Sequence, residues 1–172
     1  LTANNNYKKL IQQAKLFKPK SVLIKNELFY EKVKNNLKNI GTKVYSGDVS
    51  LNNIITGQLD YTMASIVGFA GLRSTLDAIK ISKTVAIANK ESIICGWDIL
   101  SKLKKKYKTN VVPIDSEHFS INELTKDITD EEVEEIIITA SGGPFLNMSI
   151  NKLNNIKPKQ AVNHPNWKMG KK

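Results

Sequence analysis

Apolar side chains recur at helical spacing in three stretches: Tyr7, Leu10, Ile11, Ala14 and Phe17; Phe69, Leu72, Leu76 and Ile79; and Ile93, Trp97, Leu100, Leu103 and Tyr107. Steps of three and four place each set on one face, so each stretch predicts an amphipathic helix packed on a core. Between them lie short runs rich in β-branched residues, at 21–24, 42–45, 62–67, 84–88, 111–114 and 136–139, which predict strands. Alternation of this kind predicts an α/β fold. Parallel strands need crossover connections and bury both faces, so the sheet should be mostly parallel and covered by helices. No fixed-period repeat interrupts the pattern. A lysine-rich helix end followed by a new strand predicts a domain boundary near 108–111. The opening Leu1-Thr2-Ala3 reads as the tail of a strand, and the chain as part of a longer one.

Composition narrows the function classes. With 172 residues and 41% hydrophobic content, the chain can bury one ordinary core or two small ones. No apolar run reaches the roughly 18 residues of a membrane span, and the first residues carry neither a signal-peptide nor a transit-peptide pattern. Cys95 is the only cysteine, which excludes an internal disulfide and a cysteine-based zinc site. The formal charge of +10 raises the question of nucleic acid. Its lysines, however, are scattered over helix-like segments apart from Lys104-Lys105-Lys106, and Arg73 is the only arginine, although arginine is the usual reader of base edges. Neither a nucleic-acid nor a membrane partner is expected.

In open parallel sheets, ligands bind beyond the carboxyl ends of the strands. Three such positions are polar: Asn89-Lys90-Glu91-Ser92, Asp115-Ser116-Glu117-His118 and Ala140-Ser141-Gly142-Gly143-Pro144. Asp115 and Glu117 are hard oxygen donors two residues apart, suited to Mg²⁺ or Mn²⁺, although Asp115 or Ser116 could equally cap a helix. Lys90 could hold an anionic substrate or simply start a helix beside Glu91. Ser141-Gly142-Gly143 offers amides and a hydroxyl for a phosphate, or an ordinary turn. Gly68 and Gly71 do not complete a dinucleotide-binding glycine motif. Trp167 and Met169 sit between Pro165 and Gly170 in a segment that is either a core anchor or a lid.

Five segments in order carry a resemblance: Ala64-Ser65-Ile66-Val67-Gly68-Phe69-Ala70-Gly71-Leu72; Ala88-Asn89-Lys90-Glu91-Ser92; Pro113-Ile114-Asp115-Ser116-Glu117-His118; Ser141-Gly142-Gly143-Pro144-Phe145; and His164-Pro165-Asn166-Trp167-Lys168-Met169-Gly170-Lys171. Along essentially its whole length the chain resembles the middle of the 1-deoxy-D-xylulose 5-phosphate reductoisomerase family. The resemblance implies the later part of a Rossmann-like NADPH domain over residues 1–109 and the start of an α/β catalytic domain over 110–172. It implies that Asp115 and Glu117 hold a divalent cation, Mg²⁺ or Mn²⁺. It further implies that Lys90, Ser116, Glu117, Ser141 and His164 contact the sugar phosphate, with Lys90 and Glu117 catalytic. Trp167 and Met169 would close over the substrate, and Asn6, Asn89, Glu91 and Gly170 would contact NADPH. The implied reaction is the rearrangement and reduction of 1-deoxy-D-xylulose 5-phosphate to 2-C-methyl-D-erythritol 4-phosphate. The implied assembly of the full-length protein is a homodimer, in a bacterial cytoplasm or a plastid.

Departures accompany the resemblance. The family's glycine-rich pyrophosphate loop, its remaining metal carboxylate and its C-terminal helical domain do not occur in these residues, so the chain alone is expected not to turn over. Asn4-Asn5-Asn6 stands where the family has Gly-Lys-Asn, leaving only Asn6 matched. The connection at 119–135 reads as shorter than the family's.

Overall fold

A computed structural model describes residues 1–139 and 142–165. The chain divides into a compact unit, Leu1–Val112, and a second that begins at Pro113.

The first unit alternates strand and helix: β1 (Thr2–Ala3), α1 (Tyr7–Phe17), β2 (Ser21–Ile24), α2 (Tyr30–Leu37), β3 (Lys43–Ser46), α3 (Leu51–Ile54), β4 (Leu59–Ala64), α4 (Leu72–Ile81), β5 (Ser82–Ile87), α5 (Lys90–Tyr107) and β6 (Asn110–Pro113). Short 3-10 turns, Glu27–Phe29 and Phe69–Gly71, lead into α2 and α4. The strands form two three-stranded sheets, ordered β1-β2-β3 and β4-β5-β6. Pairing is parallel, with Val22 opposite Val44 in the first sheet and Thr62 opposite Val85 in the second. The α/β architecture is therefore the observed one.

The helical faces read from spacing become the cores. Leu10 and Ala14 of α1 pack with Val22 and Ile24 of β2 and with Val33 and Leu37 of α2. Ala78 and Ile79 of α4 and Leu100 of α5 cover Ala64, Val85 and Ile87 of the second sheet. At roughly 1.5–3 kcal/mol for each fully buried aliphatic side chain, these clusters supply the main favourable term for the two sheets. Phe17, Phe69, Trp97 and Tyr107, at the same helical spacing, remain exposed. Among the described residues β1 pairs only with β2 and β4 only with β5, and residues of β1 and β4 line one cavity of about 420 Å³.

Two strand expectations change. The strand expected over 62–67 runs instead from Leu59 to Ala64, because the chain leaves the sheet at Ser65 to enter a turn with Gly68 at φ 76°. The strand expected over 136–139 is not formed. Ile136, Ile137 and Ile138 are exposed, and no described strand pairs with them. A β-prone run becomes a strand only when a neighbour accepts its backbone hydrogen bonds.

The second unit contains α6 (Ser116–Thr125), a 3-10 turn at Asp130–Glu132, α7 (Ile150–Leu153) and α8 (Pro158–Ala161). Thr129 and Glu132 form a reciprocal capping box at that turn. Among the described residues, no helix is long and apolar enough to cross a membrane.

Candidate functional site

Asn89 lies between β5 and α5 and is 3% exposed. Its Oδ1 accepts the Ser92 N–H at 2.9 Å and so caps α5. Its Nδ2 donates to the Gly68 carbonyl at 2.9 Å and also to the Ile66 carbonyl. Both amide donors are thus committed to the turn that follows β4. A Cβ on Gly71 would overlap the Asn89 amide nitrogen and the Ile66 carbonyl oxygen, so glycine is needed there for close approach. The buried Thr75 hydroxyl donates to the Gly71 carbonyl at 2.9 Å and lies 3.5 Å from Ser92 Oγ. The result is a latch joining the carboxyl ends of β4 and β5 to the first turns of α4 and α5. Lys90 and Glu91, the first two residues of α5, are positioned by it, with Lys90 exposed and Glu91 half-buried. The Asn89 amide thus ties the turn after β4 to the start of α5.

Asn6 likewise serves the backbone. Its Oδ1 accepts the Lys9 N–H at 3.1 Å and caps α1, while the Asn5 side-chain oxygen accepts from Asn26 Nδ2 at 2.8 Å. Beside them opens a cleft of about 160 Å³ at the carboxyl ends of the strands, lined in part by Asn4, Lys25, Gly47, Asp48, Ile66 and Arg73. Asp48 pairs with Arg73 and, at 3.5 Å, with Lys25. The Arg73 guanidinium, helped by Lys25, holds the Asp48 carboxyl below its ordinary range. Ile66, whose carbonyl Asn89 grips, forms part of the wall.

In the second unit, the helix-cap alternative for Asp115 is realised. Asp115 has extended backbone angles, its Oδ1 accepts the His118 N–H at 3.1 Å, and the same oxygen lies 2.7 Å from His118 Nδ1. Capping and cation binding are compatible, because a carboxylate offers about four acceptor positions. The Asp115 side chain is 10% exposed and its Oδ1 meets both the backbone and the ring of His118, so its orientation is set by the fold. Ser116 Oγ donates to Glu117 Oε2 at 3.0 Å. Asp115, Ser116 and Glu117 therefore meet at the start of α6, where the helix dipole favours negative charge. Their oxygens suit a hard divalent cation. Among the described residues no group of three or more His, Cys, Asp or Glu side chains could hold a metal ion.

His164 lies beyond α8 and is half-buried. Ser141, Trp167, Met169 and Gly170 fall outside the described residues. Residue spacing had not singled out the Asp115–His118 contact or the Gly71–Thr75–Ser92 network. Residues three apart in the first turn of a helix were the available signal for the former. The network joins residues distant in sequence and left none.

Two family models match the chain: 1-deoxy-D-xylulose 5-phosphate reductoisomerase over residues 1–96, and its C-terminal domain over residues 111–172. The reductoisomerase of Pelagibacter ubique is 53% identical over 174 aligned positions, covering 100% of this chain and 45% of that protein. The chain thus spans less than half the length of the curated relatives it matches. That alignment exceeds the chain's 172 residues by only two positions, so the 119–135 connection is not appreciably shorter than in this relative. Among solved structures, the Zymomonas mobilis reductoisomerase in complex with NADPH superposes with TM-score 0.79 at 37% identity, over 94% of this chain and 43% of that one. A reductoisomerase in complex with NADPH, fosmidomycin and magnesium gives TM-score 0.73 at 33% identity, over 99% of this chain and 45% of that one.

Proposed function

Because the chain belongs to the 1-deoxy-D-xylulose 5-phosphate reductoisomerase family, we propose that the protein containing it converts 1-deoxy-D-xylulose 5-phosphate to 2-C-methyl-D-erythritol 4-phosphate, using NADPH and a divalent cation, Mg²⁺ or Mn²⁺. The observation that carries this reading is the placement of its two polar segments. Asn89-Lys90-Glu91 and Asp115-Ser116-Glu117 each begin a helix immediately after a strand, where α/β sheets bind ligands. Relatives bound to NADPH and magnesium support the two cofactors.

In this proposal the cation would supply Lewis-acid chemistry to the bound substrate and NADPH would supply hydride. Asp115 and Glu117 hold the cation together with a donor elsewhere in the full-length protein. His118 keeps the Asp115 carboxylate in one orientation, the usual task of a residue behind a metal ligand. Ser116 steadies Glu117 until substrate arrives and then donates to substrate oxygen. Lys90, exposed at the start of α5, neutralises charge on the sugar phosphate, which Ser141 and His164 also contact. Asn6, Asn89, Glu91 and Gly170 contact the cofactor. Trp167 and Met169 close over the substrate and exclude water. Residues 1–109 and 110–172 are the NADPH-binding and catalytic portions. A homodimer in a bacterial cytoplasm, or in a plastid for a eukaryotic source, completes the reading.

The test is NADPH oxidation by the full-length protein given 1-deoxy-D-xylulose 5-phosphate, with and without Mg²⁺, beside a Glu117→Ala control. Oxidation that requires both sugar phosphate and cation, and falls by at least about 100-fold in the control, supports the reading. A well-folded protein that oxidises no NADPH under these conditions overturns it.

A further inference from the structure

Resting on the reductoisomerase reading, we infer that Lys25 and Arg73 form the anion subsite for the 2′-phosphate of NADPH, so that this protein selects NADPH over NADH through residues after β2 and on α4. NADPH differs from NADH only by a phosphate on the adenosine ribose, and selection between them requires cations where that ribose lies. In doubly wound sheets the ribose sits beyond the carboxyl ends of the strands, and a nearby arginine accommodates the phosphate. The segment after β1, Asn4-Asn5-Asn6, carries no cation. Asn5 Oδ1 accepts from Asn26 and Asn6 Oδ1 caps α1, so this segment offers a phosphate neutral amides and no positive charge.

The cations come from its neighbours. Lys25 is the first residue beyond β2 and Arg73 lies in the first turn of α4, and both converge on Asp48 beside Asn4 in the 160 Å³ cleft. Arg73 is the chain's only arginine, and its planar fork matches phosphate geometry. Two cations and one carboxylate leave the cluster with one net positive charge, because Asp77, which also lines the cleft, is paired with Lys80 at 3.1 Å. Asp48 holds the cations together before ligand arrives. The side chains of Lys25, Asp48 and Arg73 are 60%, 62% and 63% exposed, so their pairing contributes little to stability and can rearrange onto a phosphate. Their purpose is more readily explained by a ligand than by folding.

The experiment titrates NADPH and NADH separately into the full-length protein, following nucleotide fluorescence, for wild type, Lys25→Ala, Arg73→Ala, the double Ala variant and Arg73→Lys. Melting temperatures establish that each variant is folded. Wild type should prefer NADPH, and each Ala change should weaken NADPH about tenfold while leaving NADH unchanged. The double variant should bring the two affinities together and flatten the salt dependence of NADPH binding. Arg73→Lys, which keeps the charge but not the planar fork, should fall between wild type and Arg73→Ala. A folded double variant with wild-type preference, or one that loses both nucleotides equally, overturns the inference while leaving the reductoisomerase reading intact. A folded wild-type protein that binds neither nucleotide sinks both.

Discussion

Replacing Asn89 tests whether its amide is a latch or only a helix cap. Asn89→Ala removes the cap of α5, worth about 1 kcal/mol, and deprives the Ile66 carbonyl of its side-chain donor, at about 1–3 kcal/mol if no water replaces it. The Gly68 carbonyl still accepts the Gly71 N–H at 3.0 Å, so its loss is milder. The expected total is about 3 kcal/mol. Asn89→Asp is more discriminating. An aspartate caps as well as asparagine, so at an exposed helix start the change would be nearly neutral. Here the new carboxylate oxygen would face the Ile66 and Gly68 carbonyls inside a site that is 3% exposed. At pH 7 the Asp variant should therefore be at least as destabilised as the Ala variant. Burial opposite two carbonyls raises the carboxyl's folded-state pKa above its unfolded value, so the native state binds the proton more tightly. Stability should then recover as pH falls through the folded-state value toward about 4. Urea unfolding of the two variants and wild type at pH 7 and pH 5, followed by far-UV circular dichroism, measures both effects. An Asp variant within about 0.5 kcal/mol of wild type at pH 7, with no added pH dependence, would refute the latch.

Gly71→Ala should cost about 1–3 kcal/mol in the same urea assay, because its Cβ would overlap the Ile66 backbone, which cannot rotate away. Gly57→Ala, at φ 88° with no atom within 4 Å, should incur only backbone strain of about 1 kcal/mol. The Asp60–Lys83 pair, 2.7 Å apart across β4 and β5, gives a pH test. Lys83 lowers the folded-state pKa of Asp60 and Asp60 raises that of Lys83. The pair's contribution should thus be present between about pH 4 and pH 10, lost as acid passes the depressed Asp60 value and lost again as base passes the raised Lys83 value. Both limbs should shrink in Asp60→Asn and in high salt; limbs that persist unchanged would assign the pH dependence to other groups.

The sequence by itself determined the elements and the chemistry available to the site. Helical spacing identified the buried faces of α1, α4 and α5, and the β-branched runs located most strands to within a few residues. Those periodicities are local consequences of helix and strand geometry, so they are legible without a fold. Asp115, Glu117 and Lys90 were likewise visible because polar residues directly after a β run are conspicuous. Tertiary structure decided what contacts between distant segments control. It ended β4 at Ala64 because Asn89, 23 positions beyond Ile66, grips the turn that follows. It left Ile136–Ile138 unpaired because strand formation depends on a partner. It gathered Lys25, Asp48 and Arg73 from three segments around one cleft. Periodicity reports which face a residue shares, whereas long-range hydrogen bonds and charge clusters depend on which segments the folded chain brings together.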